Sequence, residues 1–122
     1  MRRDLFLELV RQAMDSLPRK FRKHIQNVAV VVEDYAPEGR DPNDLLMGVF
    51  EGTSRTEQSF FGAGTGPNRI VLYQKNIEAR AENVAAEAGR SVEEIIREEV
   101  RLTVLHEFGH YFGLDEEALE DV

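Results

Sequence analysis

Cysteine is absent from this chain of 122 residues. Its absence excludes disulfide bonds, thiolate metal sites and cysteine nucleophiles, and it is consistent with a reducing compartment. No apolar run approaches the roughly 18 residues that a membrane span needs. Asp4, Glu8 and Arg11 interrupt the apolar stretch at the start of the chain, so we expect no secretory signal. These absences together predict a cytoplasmic protein without a membrane span.

Positive charge is scarce and unevenly placed. The net charge is −8, which argues against general nucleic-acid binding. Residues 1–24 nevertheless hold seven Lys/Arg against three Asp/Glu, whereas residues 91–122 hold two Arg against ten acids. The basic cluster at 19–24 is a candidate contact for an anionic partner. Charge runs are more often solvated or paired with acids, so we interpret this cluster as a surface feature.

The length predicts a single domain over residues 1–122 with one hydrophobic core. Periodicity and end signals predict helices over 3–16, over 76–89 with Gly89 as a left-handed terminator, and from a capping box at Ser91 and Glu94 to about 112. We expect Asp4 to cap the first helix, with Leu5 and Leu9 on its apolar face. Short β-branched or apolar runs predict strands over 27–33, 45–52 and 69–74. The fold class is therefore α+β.

The strongest chemical signal is the pair His106 and His110 on the last helix, with Glu107 beside the first. Residues four apart share one helix face, with Cβ atoms about 5–6 Å apart. Two imidazoles at that spacing suit a zinc ion, which binds nitrogen at about 2.0–2.1 Å. Glu107 is rotated by about 100° from His106, so it suits a general base that reaches a water on the metal better than a ligand.

Such a site needs a third protein ligand. Gly113 can stop the helix and turn the chain back, which favours an acidic residue just beyond it. Glu116 is the first choice, and Asp115 and Glu117 are close rivals. His24 is the only other histidine, but it lies in the basic cluster, which would repel a cation.

Other features have weaker functional interpretations. The glycine-rich segment 53–68 does not fit a phosphate loop, because no Gly-Lys-Ser/Thr follows, and we expect a loop that flanks the binding site. The strand at 69–74 is a candidate sheet edge for pairing with an extended peptide. Glu99, two turns before His106, either orients that histidine or forms an ion pair. Tyr73 and Tyr111 suit packing better than catalysis.

The segment HEFGHYFGLDE, residues 106–116, matches the HExxHxxGxx(H/D/E) pattern of zincin metallopeptidases. The whole chain resembles the small, single-domain zincin-like metallopeptidases of bacteria. All three methionines precede the motif, so the methionine turn of the metzincin branch has no counterpart. The resemblance implies a small mixed sheet packed on an active-site helix, with the N-terminal helix completing a minimal zincin-like domain. It also implies His106, His110 and Glu116 as ligands of one zinc ion and Glu107 as the catalytic base.

The sequence therefore predicts a zinc metallopeptidase that hydrolyses peptide bonds in a peptide or protein substrate, through a water activated by the metal and Glu107. An alternative is a metal-binding regulatory or interaction domain of the same fold with little or no peptidase activity. A structural interaction domain whose site stays empty is a further alternative. Metal content after purification and cleavage of an unfolded substrate separate these three classes.

Overall fold

The computed structural model describes residues 1–22, 28–37, 46–52 and 68–111. The elements, in chain order, are α1 (Arg3–Asp15), α2 (Arg19–Arg22), β1 (Val28–Glu33), β2 (Gly48–Glu51), β3 (Asn68–Tyr73), α3 (Gln74–Ala88) and α4 (Val92–Tyr111). Helices and a small mixed sheet are both present, so the α+β class is confirmed.

The three strands form one sheet in the order β1–β3–β2. β1 runs parallel to β3, and β2 runs antiparallel to it. The prediction that residues 69–74 form a sheet edge is therefore wrong. β3 is the central strand, and Ile70, Val71 and Leu72 are at most 1% exposed, because neighbours cover both of its sides and both of its faces. Gln74, predicted to end this strand, instead begins α3.

α4 is the element around which the core is built. This helix of 20 residues packs against α1, α3, β2 and β3. Its buried residues recur with the period of an α-helix and so form one face, whereas its exposed residues are mostly charged. The core residues that share this packing include Phe6, Val10, Ile70, Leu72, Ile77, Ala81, Ile96, Val100, Val104 and Phe108. The sheet, the N-terminal helix and α4 thus pack together as the resemblance implied.

Two helix ends follow the predicted chemistry. Gly89 ends α3 in the left-handed region, at φ 65° and ψ 31°. The Glu94 backbone N–H at the start of α4 donates a hydrogen bond of 3.4 Å to the Ser91 hydroxyl. Both signals were readable because they depend only on local sequence.

The start of α1 differs from the prediction. Arg2 occupies the N-cap position and no side chain caps the helix, so the prediction for Asp4 is wrong. The Asp4 carboxylate lies in the first turn and pairs with Arg2 at 2.9 Å, where it still complements the helix dipole. Leu5, expected on the apolar face, is 49% exposed, because Phe6, Leu9 and Val10 make the contact with the core.

None of the helices in the described ranges is both long enough and apolar enough to cross a lipid bilayer. α4 has the necessary length, but charged side chains occur throughout it. The expectation that the chain has no membrane-spanning helix therefore holds for the part that the structure describes.

Candidate metal centre

The two histidines of the motif point toward each other on the last described turns of α4. Their Nε2 atoms are 3.1 Å apart, and their ring planes meet at 82°. Two nitrogens bound to one tetrahedral zinc at about 2.0–2.1 Å would be separated by about 3.3 Å. His106 and His110 therefore already have nearly the spacing of a zinc-binding pair, and this donor set fits the metal.

Glu107 completes a compact group with the two histidines. One carboxylate oxygen of Glu107 and one nitrogen from each ring all lie within 4.8 Å of one another. A water that hydrogen-bonds to two polar atoms spans up to about 5.6 Å, so one water fits between the carboxylate and the rings. Glu107 is only 8% exposed, whereas His110 is exposed. The carboxylate thus lies at the inner side of the group, with the solvent side left for an incoming molecule.

A pocket of about 380 Å³ opens beside this group. His106 and Glu107 form one part of its wall, and Leu46, Met47 and Gly48 form the side opposite α4. Two hydrogen bonds, one from α3 and one from β3, hold the segment before β2 in place. Asn76 Nδ2 donates to the Leu46 carbonyl at 2.8 Å, and the Tyr73 N–H donates to the Met47 carbonyl at 2.9 Å. The pocket therefore lies between α4 and the strand β2.

Gly48 allows β2 to approach α4 this closely. A Cβ atom at this position would lie 2.8 Å from Cγ2 of Thr103 and 3.1 Å from the Val71 carbonyl oxygen. Both distances are shorter than ordinary van der Waals contact, so a side chain here would push the strand away from the helix. Glycine at position 48 thus allows the close contact between β2 and α4 beside the pocket.

Glu99 lies in the same pocket wall and forms an ion pair. Its Oε2 atom accepts a hydrogen bond of 3.2 Å from Arg80 Nε on α3. Of the two predicted roles, the ion pair is therefore the one observed. The pair is not fully solvated, because the Glu99 side chain is only 12% exposed.

The two tyrosines are packing residues, as predicted. Tyr73 and Tyr111 are each 3% exposed. The Tyr111 ring also contacts Phe50 of β2, with ring centroids 5.6 Å apart and planes tilted by 51°. This contact joins the last turn of α4 to β2 just beyond the histidine pair.

Several predicted site residues lie outside the described residues. These are Gly113, Asp115, Glu116 and Glu117 after α4, His24 in the basic cluster, and residues 53–67 of the glycine-rich segment. Their assignment as ligand, rival ligand or pocket wall stays a prediction.

Sequence reasoning did not identify Arg80 or Gly48 as site residues. A glycine within a strand signals a close backbone approach, so Gly48 could have been found from its place in the run at 45–52. Arg80 had no such signal, because a helical arginine on a charged surface is ordinary. Only the packing of α3 on α4 brings it to the pocket.

Comparison with known proteins gives one family match. No curated protein matches the chain. The family model of zincin-like metallopeptidases matches residues 25–122, which is most of the sequence and includes all of β1 to α4. This match implies zinc as the type of cofactor and a peptide or protein as the type of substrate. The chain belongs to the family of zincin-like metallopeptidases.

Proposed function

We propose that this protein is a zinc-dependent peptidase that cleaves peptide bonds with Glu107 as general base. His106, His110 and one carboxylate from residues 115–117, foremost Glu116, are the proposed ligands of a single ion. The observation that carries this proposal is the convergence of the two Nε2 atoms to 3.1 Å, with the Glu107 carboxylate beside them in the wall of a pocket. We further propose that residues 1–122 act as one domain and that the protein works in the cytoplasm.

The chemistry divides between the ion and the protein. When bound, zinc lowers the pKa of water and polarises a carbonyl oxygen. Glu107 accepts the proton of the attacking water and later delivers it to the leaving amine. Its low exposure supports this role, because a largely buried carboxylate beside a substrate pocket exchanges protons with the reactants rather than with bulk solvent. His106 and His110 would hold the ion at a fixed distance from that carboxylate.

β2 is the proposed docking strand for an extended substrate. Within the described residues it pairs with β3 on one side only, and it packs against α4 next to the pocket. An extended peptide that adds to a sheet edge gains main-chain hydrogen bonds that do not depend on its sequence. This assignment replaces β3, whose two sides are both occupied.

The proposal is tested by metal content and cleavage in matched variants. We expect purified wild-type protein and Glu107→Gln to contain about one zinc each, and His106→Ala to lose it. Cleavage of an unfolded casein substrate should require the metal and stop with a chelator. Glu107→Gln should lower the turnover rate by a factor of about 10² to 10⁴, because a general base contributes that much.

Glu98→Gln is the matched control for that experiment. It makes the same chemical change on the same helix, at a side chain that is 48% exposed and paired with Arg90. We expect its zinc content and its rate to equal those of the wild type. Zinc loss in Glu107→Gln with the fold intact would contradict its role as a base that does not bind the metal. Full zinc content without cleavage would instead indicate a metal-binding regulatory domain.

A further inference from the structure

The pocket beside the motif contains a second charged feature, distinct from the histidine group. The ion pair between Arg80 on α3 and Glu99 on α4 lies in its wall, together with His106 and Glu107. The apolar side chains Leu46, Met47 and Leu102 complete the lining. Arg80 is therefore the one arginine or lysine among the described residues that line the pocket.

The spacing along α4 fits a peptide that occupies both parts of the pocket. Glu99 precedes His106 by seven residues, which is about two turns, so the two lie on the same face about 10 Å apart along the helix. An extended peptide advances about 3.3 Å per residue. A group about three residues from the cleaved bond, or a long side chain that is nearer, would therefore reach the ion pair.

Arg80 is the member of the pair that faces an incoming molecule. Its side chain is 50% exposed, whereas that of Glu99 is 12% exposed. The bond to Glu99 uses Nε of Arg80. Within the described parts of the chain no other acceptor binds this guanidinium, so its Nη donors are available for a ligand. A planar guanidinium with free Nη groups binds a carboxylate through two parallel hydrogen bonds.

We propose that Arg80 is a specificity-determining residue that binds a carboxylate of the substrate, and that Glu99 positions it. The carboxylate comes from an Asp or Glu side chain or from the C-terminus of the peptide. The inference rests on the proposed peptidase function, because it assigns the substrate preference of that same pocket. The net charge of −8 would otherwise favour cationic peptides, so a preference for anionic ones would have to come from a local cation. The candidates are Arg80 and the proposed zinc ion, and only a contribution from Arg80 is lost when that residue is replaced.

Peptide binding tests this inference separately from cleavage. The probes are alanine hexapeptides with an acetylated N-terminus that carry Glu or Gln at each position in turn, with a free or an amidated C-terminus. Affinities are measured on full-length, zinc-loaded Glu107→Gln protein, which prevents turnover. We expect one position of Glu, or the free C-terminus, to bind about tenfold or more tightly than its neutral counterpart. Which of the two gives the gain identifies the source of the carboxylate.

The variants identify the residue responsible. Arg80→Gln should abolish the difference in affinity between the charged and the neutral peptide. Arg90→Gln is the control, because Arg90 is an exposed, ion-paired arginine at the turn between α3 and α4, and this variant should preserve the difference. The double variant Arg80→Glu/Glu99→Arg keeps an ion pair but reverses its direction. It should bind a peptide with Lys more tightly than one with Glu. Its thermal melting shows whether the fold is retained.

The outcomes separate this inference from the proposed function. A Lys peptide completes the set of probes. Equal affinity for charged and neutral peptides, tighter binding of the Lys peptide than of the Glu peptide by Glu107→Gln protein that retains Arg80, or no binding would each overturn the role of Arg80, even if casein is cleaved. A preference for the carboxylate that survives in Arg80→Gln would overturn it as well. If the preference depends on Arg80 but casein is not cleaved, the carboxylate site stands and the peptidase assignment fails.

Discussion

At the scale of single residues, the site depends on a few atoms with little room to move. The Nε2 atoms of His106 and His110 converge because a helix brings residues four apart onto one face. A side chain at position 48 would not fit, because Thr103 and the Val71 carbonyl occupy the space that it would need. The first feature could be predicted from the sequence, since it depends on the spacing along one helix. The second depends on two elements that are remote in sequence.

Gly48→Ala should therefore destabilise the protein by about 1–3 kcal/mol, because the new methyl group overpacks the contact between β2 and α4. Thr103→Ser removes the Cγ2 atom that lies 2.8 Å from the added Cβ, and it should recover part of the loss in the double variant. Chemical denaturation of the two single variants and the double variant measures the coupling. Strictly additive free energies would show that the clash with Thr103 is not the cause.

At the scale of elements, the sequence signals for helix ends were reliable, whereas the position of a strand within the sheet could not be predicted. The helix start at Ser91 and the stop at Gly89 depend on neighbouring residues, and both were predicted. The place of β3 in the sheet depends on its parallel pairing with β1, about 40 residues away, and a short apolar run is equally compatible with an edge or a centre. The prediction of an edge at 69–74 failed for that reason. The extent of α4 was predicted to its last described turn.

Gly89 offers a test of the turn between α3 and α4. Its left-handed backbone favours glycine, and no atom lies within 4 Å of an added Cβ, so Gly89→Ala should cost about 1 kcal/mol through backbone strain alone. Gly89→Asn should cost less, because asparagine tolerates this conformation. Denaturant unfolding of both variants checks the order. Equal stability of Gly89→Ala and the wild type would mean that the turn relaxes to another geometry.

An ion pair also links this turn to α4. The Arg90 guanidinium hydrogen-bonds to the Glu98 carboxylate and lowers the pKa of that group. Both side chains are exposed to solvent, so the link orients the turn more than it stabilises the protein.

At the scale of the whole molecule, α4 connects the candidate metal centre to the core. The helix that carries His106, Glu107 and His110 also contributes Val104 and Phe108, both 0% exposed, and it packs against two other helices and two strands. Unfolding of the core therefore separates the two histidines and abolishes the site. Because a ligand that binds only the folded state stabilises it by mass action, zinc binding should appear in the global unfolding transition.

We accordingly expect zinc at one hundred times its dissociation constant to stabilise the protein by about 2.7 kcal/mol. This corresponds to a rise in melting temperature of about 10 °C for a chain of this size. Glu107→Gln should retain the shift, and His106→Ala should lose it. Magnesium, which prefers oxygen ligands to imidazole, is the control ion and should have little effect. Differential scanning calorimetry with each ion checks this without reference to catalysis. A zinc shift of equal size in a variant that lacks both His106 and His110 would place the bound ion elsewhere on the molecule.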